Sequence, residues 1–368
     1  MDEILKNEER IGFYLRRLYS SYGYQPFKMS RFEEYDLYVR NKDFLLSDQV
    51  ITFADRSGRL LALKPDVTLS IIKNVRDVPG LVQRFYYNEN VFRMDKGTQC
   101  FKEILQTGLE CVGDLTIVEA AEVALLAAQS LAQIGQDFVL DISHMGLLNA
   151  IVEDSGLQKE SRKTVMTLLH QKNTHEMRAL CERNGCDEKL TALLTALTCL
   201  SGNKKEAIAV LNKMLFTPRQ KDLLLELEQI CAVLTEQGYE RNVHIDFSAG
   251  SQMKYYSGIV FCGYLQGIPD VVLSGGQYDT LLQKMHKRSR AIGFAIYLDL
   301  LKYKQPQRSA FDVDTILLYD GNDDISIVLR VAQELRKNGS VQIAANVPAE
   351  ITYRNLMKLQ DGEAVLLA

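Results

Sequence analysis

The sequence predicts an α+β core interrupted by a helical insertion and followed by a small α/β domain. Three observations predict it. Strand-length apolar runs follow one another through residues 51–112 and resume at 243, with helical patterns at their flanks, the order of an antiparallel sheet with flanking helices. Residues 145–240 differ in texture, with helical periodicity, few strand signals and four of the seven cysteines. After residue 310, strand and helix patterns alternate, which implies a parallel α/β sheet. The expected organisation is a core over 1–305, with the insertion at about 145–240, and a domain over 310–368.

Each element follows from local pattern. Residues 3–22 read as an amphipathic helix, with Ile4, Leu5, Ile11, Leu15 and Leu18 near helical spacing and Gly23-Tyr24 closing it. An extended segment starts over Gln25 to Met29, and residues 32–38 lead into a short connection. Ile51-Thr52-Phe53 and 60–63 make a hairpin around the Asp55-Arg56-Ser57-Gly58 turn. Pro65 precedes a helix over 66–74, and Asp66 suits its cap. Strands are expected over 81–88, 90–94 and 102–112, with 95–99 as the loop between antiparallel partners. An Ala- and Leu-rich helix spans 115–134 and a strand 138–142. Beyond the insertion come strands at 243–246, 258–264 and 271–274, then a last core helix over 293–301. Residues 305–309 read as a linker. The tail reads strand (315–318), helix (325–338), strand (341–345), short helix (351–359) and strand (364–367).

Composition narrows the function classes. The chain of 368 residues is 46% hydrophobic and 24% charged, as in ordinary soluble globular proteins. A net charge of −4 argues against a broad nucleic-acid-binding face, which needs clustered Lys and Arg. One local basic stretch, residues 284–290, reads more simply as a solvated loop. No run of about 18 apolar residues occurs, so no membrane span is expected. The opening Met1-Asp2-Glu3 carries no apolar signal core, and the expected location is the cytoplasm. An odd number of scattered cysteines does not suggest a disulfide framework, and Cys181 and Cys186 lack the partners of a zinc site.

Six short segments carry the chemistry: Leu63-Lys64-Pro65-Asp66-Val67-Thr68, Val91-Phe92-Arg93, Gln106 to Glu110, Tyr255-Tyr256-Ser257-Gly258, Ser274 to Asp279, and Ala291 to Ala295. Each alone has a plain structural reading. Gly275-Gly276 suits a turn, Tyr255-Tyr256 a strand core, Glu110 a solvated strand, Asp66 a helix cap and Arg93 a surface ion pair. Taken in order, the six resemble the catalytic core of histidyl-tRNA synthetase, a class II aminoacyl-tRNA synthetase. The resemblance implies that family's antiparallel sheet core, and its order carries more weight than any single match.

A histidine ligand offers an ammonium, a carboxylate and an imidazole whose ring nitrogens need partners when buried. The family's Leu-Arg-Pro-Glu-Gly-Thr turn looks like residues 63–68, which implies Asp66 and Thr68 at the α-amino group. Its Gln and Glu on the returning strand imply Gln106 near the α-amino group and Glu110 near the imidazole; the even spacing puts both on one sheet face. Its Arg-Gly-Leu-Asp-Tyr-Tyr-Thr-Gly looks like residues 251–258, implying Tyr256 at the ring. Its Gly-Gly-Arg-Tyr-Asp looks like residues 275–279, implying Tyr278 in the imidazole pocket, with glycines that let backbone approach the ligand.

The departures matter as much. The fingerprint Arg that holds the carboxylate falls on Ser251, and the motif 3 Arg that clamps the ATP γ-phosphate falls on Leu300. The motif 2 Arg survives as Arg93, a candidate vestigial phosphate-binding residue, but its loop is one residue shorter with Lys96 as its basic residue. The motif 1 Pro falls on Ser30. Adenylate formation depends on positive charge set against developing phosphate charge, roughly 3–4 kcal/mol per preorganised donor. The combination is similar to the regulatory subunits of ATP phosphoribosyltransferase, relatives of the synthetase without its catalysis. This resemblance implies no catalytic residues, no cofactor and no metal, L-histidine as the ligand for feedback inhibition, a short-form ATP phosphoribosyltransferase catalytic subunit as partner in the first step of histidine biosynthesis, and a homodimer. The alternatives are an active histidyl-tRNA synthetase or another histidine-sensing synthetase-like protein. Residues 310–368 are similar to a shortened anticodon-binding domain.

Overall fold

The computed structural model describes residues 7–45, 49–95, 97–215, 217–248, 255–304 and 311–367. The expected linker at 305–309, Ser251 and Lys96 lie outside them. The chain divides into two compact units, Met1–Tyr303 and Lys304–Ala368.

In the first unit, helix α1 (Asn7–Ser21) buries Ile11, Leu15 and Tyr19 and is followed by the short strand β1 (Gln25–Pro26). Strand β2 (Phe32–Glu34), helix α2 (Tyr35–Arg40), β3 (Thr52–Ala54) and β4 (Leu60–Leu63) follow, and a three-stranded antiparallel sheet forms in the order β2-β4-β3. Helix α3 (Thr68–Asn74) leads into β5 (Val82–Met94) and β6 (Phe101–Gly113). The two strands expected at 81–94 are a single strand. It pairs without a break from Val82↔Gly113 to Met94↔Phe101, so the ladder runs through Glu89.

Helix α4 (Ile117–Ile134) begins in a capping box. The Val118 amide donates to Thr116 Oγ1 at 3.2 Å, and the Thr116 amide donates to Glu119 at 2.8 Å. This helix is long and apolar enough to cross a membrane by length and composition, although the sequence pattern predicts no such span. Its apolar side, including Leu126 and Leu131, is buried against the sheet. Gly263 makes that approach possible, because a Cβ there would lie 2.6 Å from Leu131 Cδ1.

Strand β7 (Phe138–His144) is followed by helices α5 (Met145–Asp154), α6 (Lys159–His170), α7 (Thr174–Arg183), α8 (Glu188–Cys199), α9 (Lys204–Met214) and α10 (Pro218–Glu236). A three-residue strand, β8 (Ser201–Asn203), lies between α8 and α9. The sheet resumes with β9 (Val243–Asp246), β10 (Ile259–Leu265) and β11 (Leu273–Gln277), then α11 (Asp279–Lys284) and β12 (Arg290–Tyr297). Nine strands form one sheet in the order β1-β5-β6-β12-β11-β10-β7-β9-β8. All pairs are antiparallel except β1–β5 and β7–β9.

One core expectation is overturned. Residues 293–301 do not begin a helix; Gly293 to Tyr297 belong to β12, paired on both sides by β6 and β11, and only Leu298–Lys304 turn into a 3₁₀ helix. Pairing on both edges overrides whatever helical preference the short apolar run has.

The second unit holds β13 (Val313–Leu318), α12 (Ile325–Leu335), β14 (Val341–Ala344), β15 (Tyr353–Gln360) and β16 (Glu363–Leu366), in the sheet order β14-β13-β15-β16. The short helix expected at 351–359 is strand β15, parallel to β13. The sheet is mixed, not all parallel, because β16 turns back antiparallel on β15. Asp361 and Gly362, with φ of 49° and 80°, make the two-residue hairpin turn between them.

Candidate ligand-binding site

Glu110 is the centre of the site. It lies on β6, 2% exposed, with Gln106 four residues earlier on the same face and also 2% exposed. Its Oε1 accepts a hydrogen bond from Thr68 Oγ1 at 2.6 Å, and its Oε2 accepts a short one from Tyr278 Oη. Burial pushes the Glu110 carboxyl up to about 8; the two hydroxyl donors oppose the rise and nearby Asp66 adds to it. Burial and the Glu110 charge hold the Tyr278 hydroxyl well above its ordinary range, so it stays a donor.

The turn before α3 supplies the second group. Lys64, fully buried, bonds Glu89 at 2.6 Å, and its amide donates to the Arg31 carbonyl, fixing the turn to β5 and β2. The helix expected over 66–74 starts at Thr68, with Val67 and not Asp66 at the N-cap position, but Asp66 Oδ1 still accepts from the Leu69 amide at 2.9 Å in the first turn. Its carboxyl is raised by burial, with Arg93 and the Leu69 and Thr68 amides opposing. Arg93 donates from Nε to the Pro65 carbonyl at 2.6 Å, and its Nη2 lies 3.6 Å from Asp66 Oδ2.

These side chains line one cleft of about 490 Å³, counted with its open mouth. Asp66, Thr68, Arg93, Gln106, Glu110, Tyr256 and Tyr278 all face it. Thr68, expected beside Asp66 at an ammonium, lines the same cleft as Asp66 and donates its hydroxyl to Glu110. Tyr256 packs beside Tyr255, ring centroids 4.4 Å apart, and Tyr255 packs on Phe44 at 4.3 Å. Gly276 makes room for Tyr256, since a Cβ there would meet Tyr256 Cδ1 at 2.9 Å.

Several lining residues carry no sequence signal of their own. Ser274 and Phe294 lie inside matched segments without a role assigned, and Tyr297 lies just past one. Tyr87 and Phe44 belong to no motif. Tyr87 packs where Gly108 leaves space: a Cβ at 108 would sit 2.6 Å from its hydroxyl. Of the departures, Leu300 is half-buried and packs on the hydrophobic core, an apolar position where the synthetase pattern has a guanidinium.

The basic stretch at 284–290 is structural. Lys287 donates to the Val75 carbonyl, Asp77 accepts from the Arg288 and Ser289 amides, and Arg290 bonds Asp279 at 3.1 Å. Among the described residues, no group of three or more His, Cys, Asp or Glu is placed to hold a metal ion.

Residues 2–301 match the model of the family described as Histidyl-tRNA synthetase. An ATP phosphoribosyltransferase regulatory subunit from Oceanobacillus iheyensis is 28% identical over 303 residues, covering 82% of this chain and 74% of that protein. The fold is similar to the crystal structure of an ATP phosphoribosyltransferase regulatory subunit/histidyl-tRNA synthetase from Bacillus halodurans, with TM-score 0.80, 24% identity, and 96% and 93% of the two chains covered. It is also similar to a chain of the ATP phosphoribosyl transferase (HisG:HisZ) complex from Thermotoga maritima, with TM-score 0.63, 18% identity, and 79% and 97% covered.

Proposed function

The chain belongs to the histidyl-tRNA synthetase family, and on that premise we propose that it is a regulatory subunit of ATP phosphoribosyltransferase that binds L-histidine and activates no amino acid. One observation carries the reading. The end of the cleft suited to an imidazole is complete, with Glu110 held between Thr68 and Tyr278, while the position that would clamp a nucleotide phosphate is Leu300 on the apolar core. A pocket that keeps ligand recognition and loses phosphate chemistry is a sensor. The regulatory subunits among the relatives support the same role.

Glu110 and Tyr278 serve the ring nitrogens, and Asp66 serves the α-ammonium. A site of buried polar groups rejects ligands that leave those groups unpaired, which gives selectivity for histidine over apolar amino acids. The partner is a short-form catalytic subunit, as the similarity to a chain of the Thermotoga maritima complex suggests.

The chain also pairs with itself through the region of β2. Phe32 and Phe53, 45% and 40% exposed with ring centroids 5.6 Å apart, share one apolar face of the three-stranded sheet with their half-buried cross-strand partners Leu63 and Leu61.

Calorimetry with L-histidine and an assay of histidine-dependent ATP–pyrophosphate exchange test the central reading. Binding without exchange is expected. Robust exchange would make the chain a synthetase, and absence of binding would remove the sensor role.

A further inference from the structure

We infer that Cys181 and Cys186 form a redox-active pair of thiols, closed to a disulfide by exchange with a small-molecule disulfide and reopened by excess thiol. The pair lies in the helical insertion, outside the cleft and independent of what the cleft binds.

The backbone brings the two residues together. Helix α7 ends in a Schellman motif. The Cys186 amide donates to the Cys181 carbonyl at 3.0 Å, and the Gly185 amide donates to the Glu182 carbonyl at 3.1 Å. Gly185, with φ of 67°, supplies the left-handed residue that the motif needs. The motif sets the side chains of its two outer residues against each other, a contact that apolar residues usually fill. Here both are cysteines, and both are free thiols. Each packs on the hydrophobic core, Cys181 fully buried and Cys186 half-buried. Two small apolar side chains would satisfy the cap equally well; two adjacent thiols add two-electron chemistry.

The two sulfurs differ in access, and that sets the order of events. Burial pushes the Cys181 thiol up to about 11, and the adjacent Cys186 thiol adds to the rise. Cys186 is therefore the sulfur that meets an external disulfide, R–S–S–R. Its thiolate attacks one sulfur, forms the mixed disulfide with R, and releases R–S⁻, which takes up a proton. Capping Cys186 removes a charge that opposes ionisation of Cys181. The Cys181 thiol then gives its proton to water, and its sulfur attacks the Cys186 sulfur. The Cys181–Cys186 bond forms, the mixed disulfide breaks, and the second R–S⁻ leaves. Two protein thiols are oxidised and one small disulfide is reduced to two thiols.

The exposed cysteines lack this arrangement and serve as internal controls. Cys199 meets Thr174 at 3.3 Å, at the start of α7, seven residues or about 10 Å of helix from Cys181. Cys100 is exposed on the loop before β6.

The test is oxidation of the native full chain with oxidised glutathione, followed by alkylation of the remaining thiols, tryptic digestion and mass spectrometry. Cleavage after Arg183 separates the two cysteines, so the disulfide joins peptide 179–183 to peptide 184–189. That linked pair should be the main product at these positions, and excess dithiothreitol should restore both thiols. Cys100 should carry glutathione alone. In Cys181→Ser the mixed disulfide on Cys186 should persist, and in Cys186→Ser the buried Cys181 should stay a free thiol. Three results would overturn the proposal: a stable mixed disulfide on Cys186 in the parent chain, two unmodified thiols under conditions that cap Cys100, or a linked pair that appears only in denaturant. Should either variant fail to fold, the peptide map of the parent chain decides alone. Histidine binding does not enter the measurement, so its failure and the failure of the sensor reading are separate results.

Discussion

Gly293 on β12 is the Cα partner of Glu110 on β6, and the Glu110 carboxyl occupies the space that a Cβ at 293 would fill. The glycine is therefore part of the ring-binding end of the cleft. It lets a large acid fold over the neighbouring strand and meet Thr68 and Tyr278.

Gly293→Ala should displace the Glu110 side chain, because the new methyl would also press on the Leu109 carbonyl. Overpacking of this kind costs about 1–3 kcal/mol of stability. Histidine affinity should fall at least about tenfold, since Glu110 would lose the alignment that a buried hydrogen bond needs. Denaturant unfolding and calorimetry on the same variant check the two effects. Unchanged affinity with lowered stability would separate the glycine from the binding site.

The Glu110 carboxyl, raised to about 8 by burial, makes stability depend on pH. The unfolded chain releases this proton near the ordinary Glu value of about 4.3, while the folded chain keeps it until about pH 8. Between those values the folded state binds more protons, so stability falls as pH rises, by up to about 1.4 kcal/mol per pH unit at the steepest. The contribution is full below the lower value and lost above the upper one. Glu110→Gln should flatten the stability profile between about pH 5 and 8. A variant with the parent's slope would place the titrating group elsewhere.

Much of this site is legible in the sequence. The even spacing of Gln106 and Glu110 on a strand puts them on one face, and both indeed line the cleft. Strand register and the contact between Tyr278 and Glu110, 168 residues apart, are long-range facts that no local pattern carries. Phe44 enters the cleft from a short 3₁₀ turn that has no motif at all. The sequence of β12 suggests a helix because a short apolar run has no decisive period. Strand β15 is obscured for a different reason. Ile351, Tyr353, Asn355, Met357 and Leu359 alternate with period two, and Asp361-Gly362 is a hairpin signal, but the apolar cluster at 356–359 masks both.

Self-pairing through the β2 region predicts a shift in mass. Phe32 and Phe53 stack edge to face on an exposed sheet surface. Placing charge there, as in Phe53→Glu, should weaken a dimer without touching the buried core. Burying an unpaired carboxylate at an interface is costly, several kcal/mol in unfavourable settings. Sedimentation at micromolar concentration should show a dimer for the parent chain and a shift towards monomer for the variant. A parent that sediments as a monomer removes the self-pairing proposal.

Regulation gives the last prediction. Histidine can suppress a partner's turnover only if it binds one state of the assembly better than another, and the coupling is then reciprocal for binding. A tenfold difference in affinity between states needs only about 1.4 kcal/mol. Glu110 and Tyr278 share one hydrogen bond at the ring end of the cleft. Glu110→Ala and Tyr278→Phe should each weaken histidine binding by about 1–3 kcal/mol, the penalty for a buried polar group left without its partner. Because they break the same contact, the double variant should lose less than the sum of the two. The measurement is the turnover of the complex with a short-form catalytic subunit, titrated with histidine and normalised to each complex's own histidine-free rate. The histidine concentration for half-suppression should rise about fivefold or more in each single variant. A complex that stays as sensitive as the parent, while free histidine affinity falls, would place the regulatory site outside this cleft.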